Sequence, residues 1–292
     1  MGEVIGAAVI AHVPTIVLPE RDRRELNEGK ESTLYTGLHR VRSEVIDRLK
    51  PDLIVVFDSH WFTTVEFCVA AQARRTGRFT SDELPRGMAS VPFDVEGDPE
   101  FAHALAAAAD GIEDCWITAV SDENLPIHYG TVNLLQFLQG DERWVTVSLA
   151  QTGETEDFLK VGRCVAEAIG QLDRRVFLIG SGALSHTFWP LSKLRAHEAA
   201  GEEHIFTPEA ARADHEVLDA WARGDHAAVI DAMPDFLRFR PEGRFGHYLI
   251  AASAVGGRAC TAPGVLYSLY ENSIGTGQVH VVFEPLTGGW TA

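Results

Sequence analysis

The strongest constraint on the fold is an alternation between short apolar segments and segments whose apolar residues recur at helical spacing. The apolar segments are rich in β-branched residues and each is followed by a turn, which is typical of buried strands. They occupy residues 4–10, 53–57, 144–149, 176–179 and 279–283. Between them, residues 41–49 and 158–172 each place one apolar stripe toward a core. The alternation predicts an α/β fold in which a central β-sheet is flanked by helices.

A chain of 292 residues can bury a substantial core and enclose a site. We find no internal repeat, low-complexity tract or linker that would force a domain boundary, so we expect a single domain spanning residues 1–292. Residues 214–233 are typical of two helices broken near Gly224, and residues 245–255 of a further helix. Residues 71–97 lack periodicity and contain several prolines and glycines, which predicts a long irregular loop of the kind that often covers a site.

The charge balance excludes two classes of partner. Lysine and arginine number 25 against 42 aspartates and glutamates, a formal net charge of −17, which would repel nucleic-acid phosphates and anionic membrane surfaces. No stretch of about 20 apolar residues is present, and the amino terminus lacks the basic flank and cleavage signal of a secretory leader. We therefore expect a cytoplasmic protein whose partners are small molecules. The 4 cysteines are dispersed without a C-x-x-C pair and are expected to be reduced thiols.

Histidines stand just beyond three of the predicted strands, at His12, His60 and His186. In an open α/β sheet, ligands bind outside the carboxyl ends of the strands, so these imidazoles converge if the strands are parallel and adjacent. A further histidine, His128, lies in a loop punctuated by proline and glycine, ahead of an apolar helix expected from about Asn133. Any one of these histidines alone could simply cap a strand or bond a backbone carbonyl, but their shared position favours a common site.

Neutral imidazoles combined with one carboxylate are the ligands expected for non-haem Fe(II), a set that leaves one face of the metal open for substrate and oxygen. A zinc hydrolase would use a similar set with a metal-bound water. The spacing of the histidines alone leaves both chemistries open.

A series of motifs, in order over almost the whole chain, resembles the class III extradiol ring-cleaving dioxygenases, the superfamily of the protocatechuate 4,5-dioxygenase catalytic subunit. They are His-Val-Pro at 12–14, Val-Phe-Asp-Ser-His-Trp at 56–61, Thr-Ser-Asp-Glu-Leu-Pro at 80–85, Tyr-Gly-Thr at 129–131, Ser-Gly-Ala-Leu-Ser-His at 181–186 and Gly-Thr-Gly-Gln-Val at 275–279. Within the superfamily, these motifs look most like those of the 3,4-dihydroxyphenylacetate 2,3-dioxygenases.

The resemblance implies an Fe(II)-dependent enzyme that inserts both atoms of O2 into a catecholic substrate, with 3,4-dihydroxyphenylacetate as the first expectation and a muconic semialdehyde as the type of product. It implies that His12 and His60 bind the iron and that His186 is the acid/base residue. His128 matches a second acid/base histidine of the dihydroxyphenylpropionate enzymes, whereas the 3,4-dihydroxyphenylacetate group has an acidic residue at this place. Dihydroxyphenylpropionate, protocatechuate, gallate and an aminophenol therefore remain alternative substrates.

The same resemblance places the carboxylate ligand near the start of a late helix. Glu242, just before the helix expected at Phe245, is the first choice, and Glu271 is the reserve. An alignment shifted by a few residues would instead put His247 at this position.

Further side chains are candidate substrate contacts. Trp61 and Tyr129 adjoin proposed site residues, and Arg244 is a candidate for an anionic substrate tail because a guanidinium binds a carboxylate with two hydrogen bonds. The arginines of residues 71–97, Arg86 among them, are alternatives to Arg244. The resemblance also implies a homo-oligomer. A non-catalytic metal-binding module on the same fold is the competing class, but the presence of every expected histidine favours an enzyme.

Overall fold

The structure, a computed structural model, describes residues 1–85 and 87–291. Its strands are β1 Glu3–Ile10, β2 Leu53–Thr63, β3 Phe67–Ala70, β4 Arg74–Phe79, β5 Val91–Glu96, β6 Ile117–Val120, β7 Arg143–Ala150, β8 Arg175–Ser181, β9 Gly264–Leu266, β10 Glu271–Ser273, β11 Thr276–Gln278 and β12 His280–Phe283. Its helices are α1 Glu20–Leu26, α2 Thr33–Arg40, α3 Asp47–Leu49, α4 Pro99–Ala108, α5 Tyr129–Leu138, α6 Thr155–Gln171, α7 Pro208–Ala222, α8 His226–Asp231, α9 Met233–Phe236 and α10 Gly246–Ala254. A π-helical segment, Val41–Ile46, joins α2 to α3, and short 3-10 turns occupy Pro14–Val17, Leu194–His197, Glu202–His204, Leu237–Phe239, Glu242–Phe245 and Gly257–Ala259.

The central sheet has 8 strands in the order β6-β3-β7-β2-β8-β1-β12-β9. Strands β7, β2, β8 and β1 run parallel to one another, whereas β12 is antiparallel to both β1 and β9, and β3 is antiparallel to β7. Two small sheets have 2 strands each, β4-β5 and β10-β11. The predicted α/β class with a central sheet is confirmed, and every strand expected from the sequence is part of this sheet.

Helices cover both faces of the sheet. Val55 of β2 belongs to a buried cluster that includes Phe158 of α6 and Leu249 of α10. Its neighbour Val56 belongs to a second buried cluster, which includes Leu134 of α5. Because successive side chains of a strand point to opposite faces, burial on both faces requires an uninterrupted apolar run, and this is why these strands were recognisable in the sequence.

The register of the sheet brings Ile10, Asp58 and Ser181 to one level. Strands β1 and β8 end there, whereas β2 continues to Thr63, so His60 lies within β2 and not beyond its end as the sequence predicted. Ile10 of β1 and Asp58 of β2 are both paired with Ser181, the last residue of β8. Since these strands are parallel, the residues that follow these positions lie at the same edge of the sheet. His12 and His60 are therefore delivered side by side to that edge.

Residues 71–97 differ from the irregular loop expected from the sequence. Strands β4 and β5 pair along their whole length as an antiparallel hairpin, and Arg74 forms an exposed ion pair with Asp94 at 2.5 Å. Strand β5 alternates apolar and polar residues, and its Val95 is buried in a cluster against which Phe93 packs. Strand β4 has no such alternation, so the sequence pattern did not reveal the pairing of the two strands. Between the two strands, residues 80–85 and 87–90 belong to no helix or strand.

The remaining helical expectations agree with the structure apart from two boundaries, one of which is the start of α7 at Pro208 rather than at residue 214. The pair expected around Gly224 is found as α7 and α8, and the helix expected at Phe245 is found as α10. Helix α5 begins at Tyr129, earlier than the start expected near Asn133, because its first turn is buried together with the rest of the helix. The described residues include no helix that is both long and apolar enough to cross a membrane.

Candidate functional site

Three side chains from distant parts of the sequence converge at the carboxyl edge of the sheet. Oε1 of Glu242 lies 3.3 Å from Nε2 of His12 and 3.4 Å from Nε2 of His60. These ligand atoms all lie within 4.8 Å of one another. Two imidazoles and one carboxylate in this arrangement can hold a divalent transition metal on one side and leave the other side open.

The orientation of His12 is set by a hydrogen-bonded chain. Nδ1 of His12 lies 2.8 Å from the hydroxyl oxygen of Ser181, and that hydroxyl donates to the carbonyl oxygen of Gly130 at 3.1 Å. A carbonyl oxygen only accepts, so the single hydroxyl proton of Ser181 is used there and the hydroxyl accepts the Nδ1 proton of His12. The neutral imidazole therefore keeps its lone pair on Nε2, which faces Glu242.

A second carboxylate faces the other nitrogen of His60. Nδ1 of His60 lies 3.3 Å from Oε1 of Glu83, which belongs to the connection between β4 and β5. Burial lowers the pKa of His60, but hydrogen bonds first to Glu242 and then to Glu83 raise this pKa to about 10. In the metal-free protein the imidazolium of His60 is thus held between two carboxylates, and a metal ion would replace its Nε2 proton. Outer carboxylates of this kind orient metal-binding histidines.

Glu242 is held by donors on both of its oxygens. Oε1 accepts the hydroxyl proton of Ser59 at 2.8 Å and Oε2 accepts the backbone N–H of Ala183 at 2.7 Å. Burial would raise the pKa of Glu242, but the imidazoles of His12 and His186 hold this pKa well below its usual range. The side chain is therefore an ionised, oriented carboxylate.

The backbone just after Glu242 is strained. Gly243, Arg244 and Phe245 have φ values of 54°, 55° and 64°, three left-handed residues in succession. This conformation costs roughly 1–2 kcal/mol for a residue that carries a side chain. Complete burial of Phe245 holds the segment in place, and such strain is typical of functional sites whose surroundings enforce it.

A cavity of about 220 Å³ adjoins the cluster. This volume lies below the roughly 300–1,000 Å³ of clefts for drug-sized ligands, so a molecule built on one ring fits it. Its wall contains His12, Val13, Pro14, His60, Glu83, Leu84, Tyr129, His186, Phe188, Glu242, Ser273, Ile274, Thr276 and Gln278.

His186 and Tyr129 both line this cavity. The His186 ring packs edge-on against Phe188 with 4.7 Å between ring centres, and burial lowers the pKa of His186 below its ordinary value of 6.5. The imidazole is therefore neutral at pH 7 and can accept a proton. The Tyr129 hydroxyl donates to the backbone carbonyl of His12 at 2.6 Å, so this ring helps to position the first residue of the cluster.

Three other candidates lie outside the wall of the cavity. His128 stacks on Trp61, with 5.3 Å between ring centres and 12° between the planes, and burial lowers the pKa of His128. Arg244 is exposed and is not among the residues that line the cavity. Their predicted substrate roles stay predictions. Arg86 lies outside the described residues.

The two alternatives to Glu242 occupy other places. Glu271 accepts hydrogen bonds from the Ser32 hydroxyl at 2.6 Å and from the backbone N–H of Thr33 at 2.7 Å, so it anchors the amino terminus of α2. His247 is fully buried and packs on the backbone of Gly182, where an added methyl group would lie 2.6 Å from Cε1 of the imidazole. Neither of these side chains belongs to the cluster.

Sequence reasoning missed the residues that orient the cluster. Ser181 and Ser59 stood inside motifs already singled out, and Glu83 stood in the Thr-Ser-Asp-Glu-Leu-Pro motif, yet nothing in the sequence pairs them with His12, Glu242 and His60. Membership of a recognised motif was the only available signal. The pairing itself depends on the register of the sheet and on the path of the β4-β5 connection.

The chain is similar to known proteins in family, sequence and fold. The family model described as the catalytic LigB subunit of aromatic ring-opening dioxygenase matches residues 6–284. A 3,4-dihydroxyphenylacetate 2,3-dioxygenase from Escherichia coli is 29% identical over 242 residues, which cover 81% of this chain and 84% of that protein. A 2-aminophenol 1,6-dioxygenase beta subunit from a Pseudomonas species is 25% identical over 310 residues, covering 99% and 96%.

One relative is similar over a shorter part of the chain, and one solved structure is similar in fold. A 2,3-dihydroxyphenylpropionate/2,3-dihydroxicinnamic acid 1,2-dioxygenase from a Rhodococcus species is 30% identical over 149 residues, covering 47% of this chain and 44% of that protein. The crystal structure of an uncharacterized protein from Escherichia coli K12 superposes with a TM-score of 0.63 at 15% identity, covering 95% of this chain and 99% of that one. This likeness concerns the fold alone.

Proposed function

Since the chain belongs to the class III extradiol family of catalytic LigB subunits of aromatic ring-opening dioxygenases, we propose that it opens the ring of a catechol with O2 at an Fe(II) ion. The observation that carries the metal assignment is the convergence of His12, His60 and Glu242. Both imidazoles direct Nε2 toward an ionised carboxylate, which is the donor set that non-haem Fe(II) prefers. We propose that one catalytic domain spans residues 1–292.

The donor set fits the ion through its chemistry. His12 and His60 supply neutral nitrogen donors once the Nε2 proton of His60 has left, and Glu242 supplies one negative charge. Bound Fe(II) would provide a common centre for the two adjacent catechol oxygens and for O2. Mn(II) would satisfy the same donors.

His186 is the proposed acid/base residue. A catechol must lose a phenolic proton to bind as an anion, and this loss is unfavourable at neutral pH without a base close by. His186 lines the cavity and is neutral at pH 7 because burial lowers its pKa. It accepts the hydroxyl proton at its unprotonated ring nitrogen and, as an imidazolium, returns a proton to oxygen later in ring opening.

The rest of the wall offers apolar surface to the ring and polar residues to its substituents. Leu84, Phe188 and Ile274 form the apolar part of the wall, while Thr276 and Gln278 offer polar groups for a ring substituent. His186 lines the same wall. Full loss of such an acid/base group typically lowers the rate about 10²–10⁴-fold.

The first substrate we propose is 3,4-dihydroxyphenylacetate, the substrate in the name of the Escherichia coli relative. The cavity volume supports a one-ring substrate with a short side chain. Protocatechuate, gallate, dihydroxyphenylpropionate and an aminophenol are the alternatives, and an aminophenol is the substrate named for the Pseudomonas relative. Incorporation of both oxygen atoms into the first substrate gives a muconic semialdehyde-type product.

Several further assignments are part of the proposal. His128 is proposed as a second acid/base residue, and Tyr129, Trp61 and Arg244 as substrate contacts. Because His128, Trp61 and Arg244 lie outside the present wall, these roles require the cavity to widen when substrate binds. We also propose a cytoplasmic homo-oligomer.

The test is anaerobic reconstitution of the purified protein with Fe(II), followed by O2 uptake and absorption spectra with each candidate substrate. Stoichiometric O2 consumption with a yellow ring-fission product is the expected result, and the ratio kcat/KM ranks the substrates. Parallel samples loaded with Mn(II) and Zn(II) define which ion supports turnover. Glu242→Gln, with Glu271→Gln as the matched control, tests the carboxylate ligand.

An absence of O2 uptake with every substrate, in a protein that binds one equivalent of Fe(II), would refute ring cleavage. Hydrolysis supported by Zn(II) would then favour the hydrolase alternative. Metal binding without any turnover would favour a non-catalytic metal-binding module.

A further inference from the structure

A buried carboxylate lies outside the cluster described above. Asp214 of α7 has a side chain that is 0% exposed. Burial of a carboxylate is costly unless hydrogen bonds compensate it, so the position of this group requires a structural or functional explanation.

Both oxygens of Asp214 are hydrogen-bonded, mainly to one residue. Oδ1 accepts the backbone N–H of Ser185 at 3.0 Å, and Oδ2 accepts the Ser185 hydroxyl proton at 2.6 Å. Oδ2 also accepts the phenol proton of Tyr270 at 2.5 Å. Hydrogen bonds to an ionised acceptor are roughly twice as strong as neutral ones, so the carboxylate fixes the backbone and the side chain of Ser185 together.

Ser185 is the residue before His186, and its segment is tied to the wall of the cavity. Leu184 donates its backbone N–H to the Gly277 carbonyl at 3.0 Å, and Gly277 donates its own to the Ser185 carbonyl at 2.9 Å. The residues on either side of Gly277 both line the cavity. Asp214 therefore holds the segment that presents His186 and touches the strand that forms the adjoining wall.

The carboxylate of Asp214 lies very close to the backbone of β11. A methyl group added at Gly277 would lie 2.1 Å from Oδ2 of Asp214, far inside van der Waals contact. Only glycine at position 277 lets the carboxylate reach Ser185 and Tyr270 while β11 keeps its place in the wall. The imidazole of His186 has a ring contact with Phe188, and its backbone N–H donates to the Phe239 carbonyl at 3.2 Å. The backbone of His186 is thus held at Phe239 and through the preceding residue, Ser185.

We propose that Asp214 is a positioning residue for ring cleavage, which fixes His186 in the cavity through its hydrogen bonds to Ser185. This inference rests on the proposed acid/base role of His186. Because a displacement of about 1 Å in a reacting group can lower a rate about 10²-fold, loss of the Asp214 contacts should affect the chemical step more than substrate binding.

The first variant is Asp214→Asn, and its matched control is Asp219→Asn, an exposed aspartate on the same helix. We expect the first variant to fold, to bind Fe(II) as tightly as the wild type and to keep its KM, while kcat falls about 10–100-fold. The control should keep the wild-type kcat. An unchanged kcat in folded, metal-loaded Asp214→Asn would overturn the proposal, and so would weakened metal binding without a specific loss of kcat.

Ser185→Ala keeps the proposal testable if Asp214→Asn fails to fold. It removes one hydroxyl donor and leaves the backbone donor in place, so we expect a smaller fall in kcat at constant KM. Combined with Asp214→Asn in a folded double variant, it should add less than its separate effect, because both changes break the same contact. A wild-type kcat in Ser185→Ala, or strictly additive losses, would contradict the proposal.

Crystal structures of the metal-free wild type, Asp214→Asn and Asp219→Asn separate this proposal from the proposed function. We expect the His186 imidazole to be displaced or split between conformers in Asp214→Asn alone. An unmoved imidazole would overturn the positioning role whether or not the wild type cleaves catechols. A displaced imidazole with an unchanged kcat would instead refute the acid/base role of His186, and with it the catalytic purpose of the positioning.

Discussion

Nδ1 of His12 lies 2.8 Å from the hydroxyl oxygen of Ser181, and this hydroxyl donates a hydrogen bond to the Gly130 carbonyl. This contact decides which nitrogen of His12 faces Glu242. The hydroxyl of Ser181 is fully buried, so no water replaces it when it is removed.

We predict that Ser181→Ala lowers metal affinity about 10–100-fold, the usual cost of losing a group that orients a metal-binding histidine. Anaerobic competition between the protein and a chelator for Fe(II) measures this affinity. Ser148→Ala is the matched control, because Ser148 is a buried serine of the neighbouring parallel strands whose hydroxyl accepts the Cys68 backbone N–H at 2.8 Å. Equal affinities in Ser181→Ala and the wild type would contradict the assigned tautomer of His12.

Removal of the Glu83 carboxylate beside His60 is also expected to lower metal affinity. Glu83→Ala deletes the acceptor of the Nδ1 proton of His60, and we predict a loss of about tenfold in metal affinity, the low end of the usual range, because 61% of the Glu83 side chain is exposed. Glu83→Gln keeps a carbonyl acceptor and should recover part of the loss. Asp82→Ala, an exposed neighbour, should leave the affinity unchanged. A loss of the same size in Asp82→Ala would show that the effect is only long-range charge.

The two candidate carboxylate ligands should respond differently to amide substitution. Glu242→Gln removes the negative charge between His12 and His60, so metal binding and O2 uptake should both be lost. Glu271→Gln weakens the anchor of α2 and should bind metal normally while losing about 1.5–3 kcal/mol of stability, the value of a hydrogen bond to a charged group. Metal analysis and urea unfolding measure the two effects. Normal metal content in Glu242→Gln would exclude Glu242 as a ligand.

His186 should determine the acid side of the pH profile. Burial lowers the pKa of His186 below 6.5, and the neutral form is the base, so kcat should hold at pH 7 and fall as the pH drops below 6.5. His186→Gln should lower kcat about 10²–10⁴-fold at unchanged metal content. His103→Gln, at an exposed site of α4, is the control. A profile that begins to fall well above pH 6.5 would not fit a base in this environment.

Asp214 should make stability depend on pH in a defined direction. Burial raises the pKa of Asp214 to about 6, against hydrogen bonds from Ser185 and Tyr270 that lower it. Because the pKa is raised in the folded state, protonated Asp214 contributes to the stability of the fold. This contribution is fully present below the unfolded pKa of about 3.9 and is lost as the pH rises to about 6. The free energy of unfolding of the wild type, relative to that of Asp214→Asn, should therefore decrease between these pH values. If the difference in free energy of unfolding between the wild type and Asp214→Asn is constant, or increases, over this pH range, the raised pKa of Asp214 is contradicted.

A large part of the fold followed from local sequence patterns. The parallel strand segments that lead to Ile10, Asp58 and Ser181 are buried on both faces. Each therefore had to be an uninterrupted apolar run, and such runs are visible without any knowledge of pairing. Chain direction then indicated which end of each run carried its histidine. The β4-β5 hairpin was not predicted because only β5 has an apolar period, and its pairing with β4 has no local signature.

The candidate site was only partly accessible from the sequence. Spacing and motif resemblance singled out His12, His60 and His186, and the structure brings the first two against Glu242 and places the third in the wall of the same cavity. The sequence left Glu242, Glu271 and His247 as alternatives for one position. The structure shows that Glu271 anchors a helix, His247 packs in the core and Glu242 faces the metal site. The sequence does not distinguish these roles, because they depend on the path of the backbone around each side chain.

The sequence by itself therefore determined the fold class, the family and the histidines at the strand ends, because these depend on patterns within single segments. Only the tertiary structure decided which carboxylate faces His12 and His60, that Ser181 and Glu83 orient those two rings, and that His128 stacks on Trp61 outside the cavity. The physical reason is that each of these contacts joins segments far apart in the chain. Their meeting is set by sheet register, by the left-handed turn after Glu242 and by side-chain packing, none of which has a local signature.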